Sequence, residues 1–164
     1  MQLLIIRHAI AVPRGTPGIP DDERPLTPEG EKKFRTAAEG LARIAARPDL
    51  LLTSPLVRAR QTAEIAAAAW GGIKIDCEPS LAGGTFEELA SALAKRKESD
   101  LVAVVGHEPH LSALLARLLT AKDAGLLTFR KGGAALVEIP ASLKEGGRLI
   151  WYLPPRILRA LAGE

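Results

Sequence analysis

The chain opens on Leu3-Leu4-Ile5-Ile6-Arg7-His8-Ala9, in which four aliphatic residues are followed directly by an arginine and a histidine. An uninterrupted apolar run of this kind is typical of a strand buried on both faces, as in the middle of a parallel sheet. Ionisable groups at the end of such a strand cost free energy unless they meet a ligand or a partner. The pair therefore marks the end of the first strand as a candidate functional site.

Strand and helix signals alternate along the rest of the chain. Further strands are predicted over 49–53, 73–77, 101–105, 134–139 and 148–153, and helices from about Pro28, over 55–69, from 85 to about Lys97, over 109–119 and after Pro155. This order predicts an α/β fold, a three-layer sandwich with a mostly parallel central sheet flanked by helices. The last two strands are expected to add a hairpin at one edge. The length fits a single domain over residues 1–164.

Composition narrows the class of protein. The hydrophobic fraction of 47% and the charged fraction of 25% are those of an ordinary globular protein. A balanced net charge of +3 and only two tryptophans, one tyrosine and three phenylalanines argue against a nucleic-acid partner. Cys77 is the single cysteine, which excludes an internal disulfide and a thiolate metal cluster. The first apolar run stops at Arg7, too soon for a signal peptide or a membrane span, so we expect a cytoplasmic protein without a membrane partner.

Polar residues follow three of the predicted strands, at the edge where open α/β sheets bind ligands. The first strand leads to Arg7 and His8, the second to Arg58 in its following helix, and the fourth to His107. Arginine binds phosphate oxygens bidentately, and a neutral imidazole is nucleophilic near neutral pH. These residue types predict a pocket for a dianion in which His8 takes up a phosphoryl group that water then releases.

Each of these residues also has a structural interpretation. Arg58 alone is compatible with a solvated helix residue, and His107 alone with a loop histidine bonded to the backbone. Lys131 precedes two glycines and could approach the phosphate from a loop, but a solvated loop lysine is the safer interpretation. His107 and His110 stand three residues apart around a proline, whereas the zinc-protease helix motif needs a spacing of four. We therefore expect no metal, and His110 is interpreted as structural or as facing the rim of the site.

Four segments, taken in order, resemble the motifs of the histidine phosphatase superfamily, the phosphoglycerate mutase-like proteins. They are Leu4–Ala9, Arg24–Gly30, Ser54–Ala63 and Val104–His107, within roughly residues 1–115. The short length and the sequence Gly106-His107-Glu108-Pro109-His110 are most similar to SixA-type phosphohistidine phosphatases. The resemblance implies a phosphoglycerate mutase-like fold and a metal-independent, cofactor-free phosphatase. It further implies that His8 is the nucleophile and that Arg7, Arg58 and His107 hold the phosphate.

Two departures from the family pattern bear on the substrate. Ala9 replaces a glycine, a change between small residues that should be tolerated. Ser80 stands where larger relatives place an acid, so that Glu108 and Glu78 are the candidate proton donors. An alkoxide leaving group needs a proton donor, whereas the imidazole of phosphohistidine leaves far more easily. The expected partner is therefore a phosphohistidine-bearing protein such as a phosphotransfer domain, which an open site without long insertions would admit.

Two other functions remain open from the sequence. The first is a small-molecule phosphomonoesterase or mutase of the same superfamily, which would need a competent acid. The second is a non-catalytic phosphate-binding module, against which the presence of a nucleophilic histidine argues.

Overall fold

The computed structural model describes residues 1–95, 100–140 and 142–163. The strands within these residues are β1 (Gln2–Arg7), β2 (Leu50–Thr53), β3 (Ile75–Cys77), β4 (Leu101–Gly106), β5 (Ala134–Glu138) and β6 (Arg148–Leu153). The α-helices are α1 (Pro28–Ile44), α2 (Val57–Ala69), α3 (Phe86–Ala94), α4 (His110–Leu118) and α5 (Pro155–Ala162). No helix in these ranges is long and apolar enough to cross a membrane.

The six described strands form one sheet in the order β3-β2-β4-β1-β5-β6. The strands β1 to β4 run parallel to one another, whereas β5 pairs antiparallel with both β1 and β6. The predicted α/β class, its mostly parallel sheet and the antiparallel pair at one edge are confirmed.

The sheet is covered on both faces, which accounts for the apolar run in β1. Leu3, Leu4, Ile5 and Ile6 are all fully buried. Because successive side chains of a strand point to opposite faces, Leu4 and Ile6 join the core with α1, α2 and α5. Leu3 and Ile5 join the second core, under α3 and α4. This arrangement gives the predicted three layers.

Two of the helices begin at threonine caps. Thr27 caps α1, since its hydroxyl accepts a hydrogen bond from the N–H of Gly30 at 3.0 Å. Thr85 and Glu88 form the capping box of α3. The helix predicted from about residue 55 begins two residues later. The Ser54 hydroxyl accepts from the N–H of Leu56, which shapes a turn before α2 begins at Val57. The predicted helix end near Lys97 lies outside the described residues.

Strand order places the candidate residues next to one another. β4 lies between β1 and β2, and the register pairs Arg7 with Gly106 and Thr53 with Val105. The residues that follow these strands, His8, Ser54 and His107, therefore leave the sheet at the same edge.

Candidate active site

His8 follows β1 directly and is only 6% exposed. Its Nδ1 lies 2.7 Å from the backbone carbonyl oxygen of Ala9. A carbonyl can only accept, so in the neutral ring Nδ1 carries the hydrogen and Nε2 keeps its lone pair. Burial lowers the pKa of His8 to about 3, and the neighbouring His107, Arg58 and Arg7 act in the same direction. His8 is therefore neutral near pH 7 and has a nucleophilic nitrogen.

His107 follows β4 and lies beside His8, with 5.0 Å between the ring centroids. Its Nε2 is 2.8 Å from the hydroxyl of Ser54, a fully buried residue. Burial lowers the pKa of His107 to about 4, so this imidazole is neutral as well. Its Nδ1 is buried and has no hydrogen-bond partner among the described residues. One nitrogen is thus held by the protein while the other is available to a ligand.

Arg7 ends β1 and contributes one cation. Its Nη1 donates to the backbone carbonyl of Phe129, in the loop before β5. Burial lowers the pKa of Arg7, while the negative charge of Glu108 opposes that shift. A guanidinium remains charged in proteins despite such a shift. The Arg7 side chain is thereby held at the sheet edge next to His8.

Arg58 lies in the first turn of α2 and is 4% exposed. Its Nη1 donates to the backbone carbonyl of Asp21 at 2.6 Å, and its Nη2 lies 3.4 Å from the Asp21 carboxylate. The same carboxylate accepts from Arg14 at 2.9 Å and from Arg24 at 3.0 Å. Hydrogen bonds from Arg14 and Arg24 hold the pKa of Asp21 below its usual value. The loop that contains Asp21 therefore forms one rim of the site and orients Arg58.

Thr62 joins the two halves of the site. Its hydroxyl accepts a hydrogen bond from the N–H of Ala9 at 3.0 Å and donates to the carbonyl of Arg58 at 2.6 Å. Thr62 is fully buried, so neither bond is replaced by solvent. Ser54, Thr62 and Asp21 are not among the predicted site residues. Ser54 and Thr62 belong to the third resembling motif, which is the signal that could have identified them. Asp21 lies in the irregular, Pro-rich stretch 13–25 after the Arg7-His8 pair, but no motif marks the residue itself.

The two candidate proton donors both accept hydrogen bonds. Glu108 accepts from the N–H of Phe129 at 3.0 Å with one oxygen and from the hydroxyl of Ser112 with the other. Glu78 accepts from the N–H of Ser80 at 3.2 Å and from its hydroxyl at 2.8 Å, both through Oε1. Glu108 therefore stabilises the loop at Phe129, whose carbonyl binds Arg7. Glu78 caps the short turn that contains Ser80. Their part in proton transfer stays a prediction.

Three other polar residues close in sequence to the site residues or to the strand ends are exposed. Arg60 and His110 are exposed, the latter at the start of α4. Lys131 is exposed in the turn before β5. In the described part of the chain, no group of three His, Cys, Asp or Glu side chains is placed to hold a metal ion.

The structure brings His8, His107, Arg7 and Arg58 together at one end of the sheet. Within the described residues, Arg7 Nε, Arg58 Nε and His107 Nδ1 are buried without a hydrogen-bond partner. A buried polar group left unpaired costs about 1–3 kcal/mol, so a ligand that supplies acceptor oxygens would be bound favourably. The arrangement can bind a tetrahedral oxyanion beside a neutral, nucleophilic imidazole.

The chain is similar in sequence to known proteins of one superfamily. The sequence model of the histidine phosphatase superfamily (branch 1) matches residues 3–91. An uncharacterised protein of Picosynechococcus sp. strain PCC 7002 is 34% identical over 148 residues, which are 83% of this chain and 88% of that protein.

Several solved structures share the fold over nearly the whole chain. The structure assigned as phosphohistidine phosphatase SixA from Agrobacterium tumefaciens has a TM-score of 0.80 and 30% identity, covering 94% of this chain and 97% of that one. The protein histidine phosphatase SixA complexed with tungstate has a TM-score of 0.81 and 26% identity, covering 96% and 99%. The alpha-ribazole phosphatase from Shigella flexneri, at 18% identity, 94% and 97% coverage and a TM-score of 0.76, shares the fold alone.

Proposed function

This chain belongs to branch 1 of the histidine phosphatase superfamily, and from that premise we propose that it removes phosphoryl groups from histidine side chains of proteins. It is a phosphatase of that superfamily. In this proposal His8 is the nucleophile, and the phosphate is bound by Arg7, Arg58 and His107. Its single most important support is the tautomer of His8, because the bond from Nδ1 to the Ala9 carbonyl leaves the Nε2 lone pair free.

Catalysis proceeds in two displacements at phosphorus. The Nε2 atom of His8 attacks, a new N–P bond forms, and the P–N bond to the substrate histidine breaks. Water then attacks phosphorus, the bond to His8 breaks with its electron pair returning to Nε2, and inorganic phosphate leaves with the oxygen of water. Arg7, Arg58 and His107 bind the equatorial oxygens, where negative charge spreads in each transition state.

The leaving group explains why phosphohistidine suits this site. Imidazole departs as a neutral molecule once its remote ring nitrogen carries a proton, whereas an alkoxide would need a proton from the enzyme. Both oxygens of Glu108 already accept hydrogen bonds, and Ser80 stands at the place of the family's acid. The likeness to structures assigned as SixA supports the same substrate class.

A second candidate function is a small-molecule phosphomonoesterase. One observation favours it: the hydrogen bonds from Ser80 to Glu78 both reach Oε1, so that Oε2 is available to carry a proton for an alkoxide. In that case the phosphoryl group would come from a phosphate ester and Glu78 would be essential.

The experiment offers one enzyme preparation three substrates in EDTA: a phosphohistidine protein, a phosphoserine peptide and an aryl phosphate. We expect the phosphohistidine protein to be preferred, EDTA to be harmless, and His8→Ala to be folded but inactive. Faster turnover of the phosphate esters, together with loss of that activity in Glu78→Gln, would support the second function instead. A Glu145→Gln variant, which alters an exposed acid in the loop between β5 and β6, is the matched control.

A further inference from the structure

The turn that carries Lys131 is attached to the nucleophile strand. The N–H of Gly133 donates to the carbonyl of Arg130 at 2.8 Å, which closes a four-residue turn. Gly132 has a φ of 78°, the conformation that a type II turn requires at its third residue and that glycine adopts without strain. The N–H of Gly132 lies 3.1 Å from the carbonyl oxygens of both Arg7 and His8. Lys131, the second residue of this turn, is therefore held next to the active site by backbone bonds.

The charged side chains that act on the pKa of Lys131 are arginines. Arg7, Arg24 and Arg58 lie close enough to lower its pKa, in addition to the larger effect of partial burial. These arginines come from β1, from the loop that contains Asp21 and from α2, so cations from three segments lie within electrostatic range of Lys131. Its ammonium group has no hydrogen bond or ion pair with any part of the chain that the structure describes.

The acids nearest to this cluster are already engaged. Asp21 accepts from Arg14, Arg24 and Arg58, and Glu108 accepts from Phe129 and Ser112. A fourth cation beside Arg7, Arg24 and Arg58 raises the free energy of the ligand-free site, because like charges repel most strongly where water is partly excluded. A bound dianion would attract each of these cations and so offset the repulsion between them.

We propose that Lys131 is a further substrate-binding residue, whose ammonium group contacts a non-bridging oxygen of the bound phosphoryl group. The proposal rests on the phosphatase function only in that a phosphoryl group occupies the site, and it holds for phosphohistidine and phosphate esters alike. Lys131 lies on the β1 side of the pocket and Arg58 on the α2 side, so the two cations would bind different oxygens.

The test measures binding of inorganic phosphate by calorimetry at fixed ionic strength, which needs no turnover. The Lys131→Met variant should bind phosphate about tenfold more weakly, as expected for the loss of one charge-assisted contact. Lys131→Arg should recover most of the affinity because it restores the positive charge. Lys122→Met, which removes another exposed lysine, should bind as the wild type does.

Three results would count against the proposal. Affinity of Lys131→Met within about twofold of wild type overturns it while leaving the phosphatase site intact. Equal losses in Lys131→Met and Lys122→Met would show only a long-range effect of net charge, and they also overturn it. Failure of the wild-type protein to bind phosphate at all would contradict the phosphatase site itself. Because the Lys131 side chain is exposed and faces repulsion in the ligand-free site, no variant should have a thermal midpoint below that of the wild type, which separates weak binding from unfolding.

Discussion

The hydroxyl of Thr62 accepts a hydrogen bond from the backbone N–H of Ala9 at 3.0 Å. This contact spans two segments that are distant in sequence, because Ala9 adjoins the nucleophile histidine and Thr62 lies in α2. The same hydroxyl donates to the carbonyl of Arg58. The buried Thr62 side chain therefore ties the backbone beside His8 to the backbone of Arg58. The geometry of the site therefore depends on a residue that does not face the ligand.

Thr62→Val keeps the shape of the side chain but removes both hydrogen bonds. The buried N–H of Ala9 is then left unpaired, and the free energy of unfolding should fall by about 1–3 kcal/mol. Because His8 and Arg58 lose their common anchor, kcat should fall roughly tenfold or more while KM changes less. Denaturant titration and steady-state kinetics measure the two effects.

Thr36→Val is the matched control for this variant. Thr36 also donates to the carbonyl four residues earlier in its helix, that of Lys32, but it lies on α1 away from the site. Its kcat should equal that of the wild type. If Thr36→Val and Thr62→Val lost kcat to the same extent, the loss would not come from the hydrogen bond between Thr62 and Ala9, and the prediction would be wrong.

Arg58→Ala removes the buried guanidinium that α2 contributes to the site. The expected loss in kcat/KM corresponds to about 2–4 kcal/mol of transition-state stabilisation, by analogy with the removal of other preorganised donors. Arg60→Ala alters an exposed arginine two residues along the same helix and should retain full activity. Comparable kcat/KM values for the two variants would remove Arg58 from the proposed phosphate-binding set.

The pKa values of His8 and His107 predict an unusual titration. Burial lowers them to about 3 and about 4, against an ordinary value of 6.5, so both rings should stay neutral when the pH is lowered to about 5. NMR of the imidazole nitrogens, assigned with His8→Ala, should show His8 with its hydrogen on Nδ1 throughout. Added tungstate should raise both pKa values, because an anion favours the imidazolium. A titration of His8 centred near 6.5 in the free protein would contradict the assigned environment.

The fold could be predicted because its signals are local. Four aliphatic residues before Arg7 indicate a buried strand, Thr27-Pro28 indicates a helix start, and Thr85 with Glu88 indicates another. α2 begins two residues after the approximate start that Ser54-Pro55 indicates, because the Ser54 hydroxyl accepts from the N–H of Leu56 within a preceding turn. The parallel order of β1, β2 and β4 then suffices to gather Arg7, His8 and His107 at one edge.

The contacts that support the site could not be predicted, because they depend on the path of the chain in space. Asp21 reaches Arg58 only because the rim loop folds back over α2. Glu108 is an acid near the site by sequence, yet only the structure shows that both of its oxygens brace neighbouring groups. Lys131 is indistinguishable from a solvated lysine until the bonds of Gly132 to β1 are seen.

The central claim is that Nε2 of His8 takes the phosphoryl group, and trapping the intermediate tests it most directly. Wild-type enzyme is mixed with a phosphohistidine protein carrying a radiolabelled phosphoryl group, quenched rapidly in base, and digested to locate the label. We expect a transient label on the peptide that contains His8, stable to base and lost in acid, and no label on His8→Ala. A label on another residue, or turnover by His8→Ala at a rate near that of the wild type, would contradict the account.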